Sequence, residues 1–82
     1  MDVYSKKYED IDIEIKLSRG RLILYINGTQ RDYGKLGNNE LKCRLENGIE
    51  VRVIIKNRIL GKSAAIYVDN KEIDYLNHLF LK

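Results

Sequence analysis

The stretch from Arg21 to Tyr33, RLILYINGTQRDY, constrains the fold more than any other part of the chain. It reads as a strand, a tight turn and a second strand. Asn27-Gly28 marks the turn, because a two-residue type I′ hairpin loop needs positive φ at both central positions. Glycine adopts that conformation without steric penalty and asparagine tolerates it. The pattern returns from Ala64 to Tyr75, AAIYVDNKEIDY, where Tyr67, Asp74 and Tyr75 align with Tyr25, Asp32 and Tyr33. Upstream, Ile13-Glu14-Ile15-Lys16 echoes Ile49-Glu50-Val51-Arg52. The stretches 13–33 and 49–75 are either a weak internal duplication of a three-strand unit or two hairpins that share turn chemistry.

Alternation carries the rest of the reading. In residues 10–17, DIDIEIKL, Ile11, Ile13, Ile15 and Leu17 share one face, and Asp10, Asp12, Glu14 and Lys16 share the other. That period of two is a half-buried strand. An even loop around Ser18-Arg19-Gly20 sets Leu17 opposite Leu22 and Ile15 opposite Leu24, whereas an odd loop would mix the faces. Residues 21–27 are apolar on both faces. With Leu22, Leu24 and Ile26 inward, Ile23 and Tyr25 point outward and need cover from another segment or a partner.

Residues 40–46 and 49–56 alternate again. Here parity selects a three-residue loop, Glu46-Asn47-Gly48, which pairs Leu45 with Ile49, Cys43 with Val51 and Leu41 with Val53. A short edge strand over residues 3–8 and strands at 63–68 and 71–75 complete the set. Residues 74–82 place Leu76, Leu79 and Phe80 at helical spacing, which predicts a short terminal helix or a further strand packed near Ile23 or Tyr25. About seven strands with turns every 8–12 residues predict an all-β domain spanning 1–82, an antiparallel β-sandwich or small barrel.

Composition excludes whole classes. One cysteine cannot form an intrachain disulfide, so a secreted disulfide scaffold is ruled out. No apolar run approaches the roughly 20 residues that cross a bilayer as a helix. The start, MDVYSKKYED, lacks the apolar core of a secretory signal, and a cytoplasmic location is expected. Residues 1–41 balance seven basic against seven acidic side chains, whereas 42–62 carry Lys42, Arg44, Arg52, Lys56, Arg58 and Lys62 against Glu46 and Glu50.

No residue pattern points to catalysis, a metal or a cofactor. His78 stands alone, and Cys43 lies between Leu41 and Leu45 on an inward face, which predicts a buried, inert thiol. Asp32 and Asp74 recur at matching places and are expected outward and solvated. The register that pairs Arg44 with Glu50 also sets Lys42 against Arg52, a like-charge pair that calls for an anion. Nucleic-acid phosphate, an acidic partner or the Asp10-Asp12-Glu14 face could supply it. The stacking aromatics that single-strand binders use are absent from 42–62.

Ile26-Asn27-Gly28, Asp32, Gly34, Leu41-Lys42-Cys43 and Tyr67-Val68-Asp69 together resemble the pattern of a set of small uncharacterised all-β proteins of Gram-positive bacteria. The paired hairpins also look like the β-domains of Fas apoptosis inhibitory molecules. The resemblance implies a β-sandwich-like domain and carries no catalytic residue over. The two-faced sheet, the outward apolar residues and the lack of any catalytic pattern lead to the expected function, a non-catalytic module that binds a protein partner or itself. Its candidate surface is Ile23, Tyr25, Lys42, Arg44, Arg52, Lys56, Arg58 and Lys62. Weak nucleic-acid or anion binding through residues 42–62 stands second.

Overall fold

The computed structural model describes residues 2–35, 39–58 and 61–77. Eight strands follow one another: β1 Asp2–Tyr8, β2 Ile11–Ser18, β3 Arg21–Ile26, β4 Thr29–Lys35, β5 Asn39–Arg44, β6 Glu50–Arg58, β7 Gly61–Val68 and β8 Lys71–Leu76. They form two four-stranded antiparallel meanders, β1-β2-β3-β4 and β5-β6-β7-β8. Their inner faces bury one shared core, to which Ile13, Ile15, Leu22, Leu24 and Ile26 contribute from the first sheet. Leu41, Val51, Val53, Ile55 and Ile66 contribute from the second. The described residues form a two-sheet sandwich of eight strands, not about seven, and these strands do not close into a barrel.

The hairpins follow the parity of the apolar residues. Leu17 pairs with Leu22 and Ile15 with Leu24 around the two-residue turn Arg19-Gly20. Leu45 donates its N–H to the Ile49 carbonyl at 2.8 Å, so the β5–β6 loop is Glu46-Asn47-Gly48, with Gly48 at φ 87. Asn27 and Gly28 take φ 50 and 82, and Asp69 and Asn70 take φ 50 and 66. Both turns thus have the positive dihedrals that match strand twist.

The two sheets repeat one design. A bulge interrupts β3–β4 between Leu24 and Tyr25, and β7–β8 between Ile66 and Tyr67, leaving Arg31 and Ile73 as the extra residues. Asn27 Oδ1 accepts the Asp12 N–H at 2.8 Å, and Asp69 Oδ1 accepts the Glu50 N–H at 3.1 Å. The upstream echo is two residues out of step with this design. Ile15 lies opposite Leu24 and Val53 opposite Ile66, so Ile13–Lys16 corresponds to Val51–Ile54 and not to Ile49–Arg52. The reason is a β6–β7 hairpin that runs two residue pairs longer than β2–β3.

Asp32 and Asp74 are not the solvated carboxylates expected from their turn-proximal positions. Both are half-buried and tie one sheet to the edge of the other. Asp32 accepts the Tyr33 N–H at 2.8 Å and, through Oδ2, the Lys42 N–H of β5 at 2.9 Å. Asp74 accepts the Tyr75 N–H at 2.9 Å and, through Oδ2, the phenol of Tyr4 on β1. Edge-strand groups that lack a sheet neighbour are thereby satisfied where the two sheets meet.

Residues 74–76, expected to open a terminal helix, are the end of β8, with Asp74 opposite Ile66 and Leu76 opposite Ala64. His78, Leu79, Phe80 and Leu81 lie outside the described residues. Ile23 and Tyr25 do point outward and are half-buried. Their cover among the described residues comes from cross-strand neighbours, not from another segment. Lys16 lies opposite Ile23 and holds its ammonium 4.4 Å from the Tyr25 ring centre.

Candidate functional site

The eight candidate surface residues do not share one face. Ile23 and Tyr25 lie on the outer face of the first sheet, and Lys42, Arg44, Arg52 and Lys56 on the outer face of the second. These faces look away from each other. Arg58 lies opposite Gly61 at the end of β6. Lys62 sits on the inward-facing side of β7 by alternation with Ala64 and Ile66, and its ammonium donates to Asn57 Oδ1.

The second sheet's outer face is built by register. One row runs Lys42–Arg52–Tyr67–Glu72 across β5 to β8, and the next runs Glu40–Ile54–Ala65–Tyr75. The like-charge pair is therefore real, and its relief is local. Arg52 turns to Glu40 at 3.5 Å and lies over the Tyr67 ring at 5.4 Å from its centre. Its Nε is buried without a hydrogen-bond partner. Arg44 meets Glu50 at 3.9 Å in an exposed, loose ion pair, a geometry that contributes little to stability. The Asp10-Asp12-Glu14 group does not relieve the clash: Asp12 and Glu14 lie on β2 of the other sheet and face the opposite side, and Asp10 sits in the turn that precedes β2. The ammonium groups of Lys42 and Lys56 have no partner among the described residues.

Small Ala65 leaves a shallow depression of about 140 Å³ beside Lys56, bounded by Ile54, Tyr67 and Tyr75. Tyr75 is 41% exposed. The basic stretch alone does not point to these tyrosines, because they come from β7 and β8. The β6–β7 register that sets Tyr67 against Arg52 could have found the first of them.

The remaining sequence candidates lie apart from this face. Cys43 is buried at 7% exposure, and burial pushes its thiol pKa up, with the nearby Arg31 charge acting in the opposite direction. Among the described residues no three His, Cys, Asp or Glu side chains come together as a metal site. No helix of the described residues is long and apolar enough to cross a membrane. Comparison of the chain with protein-family models, with curated proteins and with solved structures finds no match in any of the three.

Proposed function

We propose that this chain is a non-catalytic cytoplasmic β-module that docks an acidic protein partner on the outer face of its second sheet. The observation that carries the reading is a depression over Ala65 lined by Lys56 and the exposed Tyr75 ring, with Lys42 and Arg52 in the adjacent cross-strand row of the same face. Two of those cations lack a carboxylate among the described residues, so their charge is available to a partner. An exposed aromatic beside Lys56, with Lys42 further out on the same face, matches the anchor-and-rim composition of protein interfaces. Ile23 and Tyr25 belong to the opposite face and leave this surface, and self-association through the first sheet would be a separate event.

Nucleic-acid binding remains the second reading, because Tyr67 and Tyr75 bring to the basic face the aromatics that residues 42–62 lack. It ranks below protein binding for two reasons. The Tyr67 ring already carries the Arg52 guanidinium, and Glu40, Glu50 and Glu72 dilute the positive field.

The test is affinity capture from cell extract with the parent chain and with the Lys42→Glu/Lys56→Glu variant, each before and after nuclease treatment. Proteins held by the parent, lost by the charge-reversed chain and indifferent to nuclease support the proposal. Equal retention by both chains refutes it. Retention that disappears with nuclease, together with oligonucleotide binding that weakens steeply as salt rises, would transfer the face to nucleic acid.

A further inference from the structure

The two sheets use one plan, so the places where they differ in chemistry stand out. At the β7–β8 end the repeat has Asp69, Lys71 and the bulge residue Ile73, which packs against the core. At the β3–β4 end the same positions hold Asn27, Thr29 and the bulge residue Arg31. A bulge re-aims one side chain, and here it aims an exposed guanidinium where its counterpart aims an apolar group. Arg31 lines a cleft of about 410 Å³ at the end of the sandwich, between the β3–β4 and β5–β6 turns.

The chemistry of this cleft is donor-rich. Arg31 donates one hydrogen bond to the Arg44 carbonyl at 3.2 Å, which anchors the guanidinium and leaves its other N–H groups available. Asn27 and Asn47 both line the cleft, and both have their Oδ1 engaged, by the Asp12 N–H at 2.8 Å and the Ile49 N–H at 3.1 Å. Each amide nitrogen is therefore a spare donor. Capping does not require Asn at position 27, since Asp69 makes the same bond in the other repeat at 3.1 Å. Half-buried Leu45 supplies the apolar wall of the cleft, since the Ile26 side chain beside it is 2% exposed and belongs to the core. Among the described lining residues Glu46, on the rim, is the one carboxylate, and it disfavours a dianion.

We infer that this cleft is a binding site for a small monocarboxylate with a compact apolar body, an aliphatic or aromatic acid. Its carboxylate would meet Arg31 with Asn27 and Asn47, and its body would rest on Leu45. Charged donors give the strongest hydrogen bonds to a carboxylate, and the planar guanidinium matches it in shape. The site uses no side chain of the basic sheet face and stands or falls separately from protein docking.

The experiment is a titration followed by heteronuclear NMR at constant ionic strength, with benzoate, benzyl alcohol, inorganic phosphate and chloride as probes. Benzoate should give saturable shifts at the Arg31 side chain and at the Asn27 and Asn47 amides, with the other three probes silent there. Arg31→Leu and Asn27→Asp should each weaken benzoate at least about tenfold. Both changes have a precedent in the other repeat, Ile73 and Asp69, so the variants are expected to fold. Benzyl alcohol binding as well as benzoate, phosphate binding in its place, or either variant retaining full affinity would overturn the inference.

Discussion

Cys43 shows how one side chain's chemistry follows from its neighbours. Its thiol is buried among Leu41, Val51 and Val53, and its pKa is raised chiefly by desolvation. The thiolate, which is the reactive species, is therefore suppressed. Native protein should label slowly with a thiol reagent, and labelling should accelerate on unfolding; fast native labelling would contradict this. Cys43→Ser should destabilise by about 1–3 kcal/mol, because it buries a hydroxyl with no arranged partner. The Tyr4–Asp74 contact makes a prediction in pH. The Tyr4 hydrogen bond is the largest cause holding the Asp74 carboxyl below its ordinary value of 3.8. That contribution is present above about pH 4 and is lost as pH falls through the folded value. Burial, then the bond to Asp74, raises the Tyr4 phenol above its ordinary value of 10.0. Its contribution is present below about pH 10 and is lost as pH rises beyond it. Tyr4→Phe should cost about 0.5–1.5 kcal/mol at neutral pH and flatten both limbs of the stability profile. Urea melts of the two chains across pH check this, and superimposable profiles would show that the contact contributes nothing.

At the scale of the element, the β3–β4 turn separates conformational cost from contact cost. A Cβ at Gly28 would meet nothing within 4 Å, yet the residue sits at φ 82. Gly28→Ala should therefore destabilise by about 1 kcal/mol through backbone strain alone. Asn27→Asp should fall within about 0.5 kcal/mol of the parent chain, because Asp69 already makes the equivalent cap. Thermal or urea unfolding of the two variants distinguishes these effects. An equal loss in both would mean that the Asn27 amide also matters to the turn.

For the whole molecule, the shared core makes the two sheets interdependent. Ile13, Ile15, Leu22, Leu24 and Ile26 are no more than 2% exposed, and the second sheet is what covers them. Each such side chain contributes about 1.5–3 kcal/mol on burial, so five together rival the net stability of a small domain. A chain of residues 1–38 alone should therefore aggregate or lack a cooperative melt. Addition of residues 39–82 should restore the β-sheet signal in circular dichroism. A cooperative transition from the first half by itself would show that a single meander is stable uncovered.

How much of this is legible in the sequence depends on the range of the interaction. Side-chain period and turn dihedrals are local, so Ile11 to Leu17, the Asn27-Gly28 turn and the odd β5–β6 loop determine strand, face and register by themselves. Cross-strand pairing follows from that parity, including the opposition of Lys42 and Arg52. What the sequence does not decide is which strands meet without a turn between them. Asp32 on the Lys42 amide and Asp74 on the Tyr4 phenol are contacts between sheets, and no short-range pattern encodes them. The same holds for the functional surface. Lys42 and Arg52 are readable as basic, but only the folding of β7 and β8 beside them brings Tyr67 and Tyr75 to the same side. Only the stacking of the two meanders turns the Asp12–Glu14 face away. Local sterics and periodicity act over a few residues, whereas the burial of a common core selects the partners of each face.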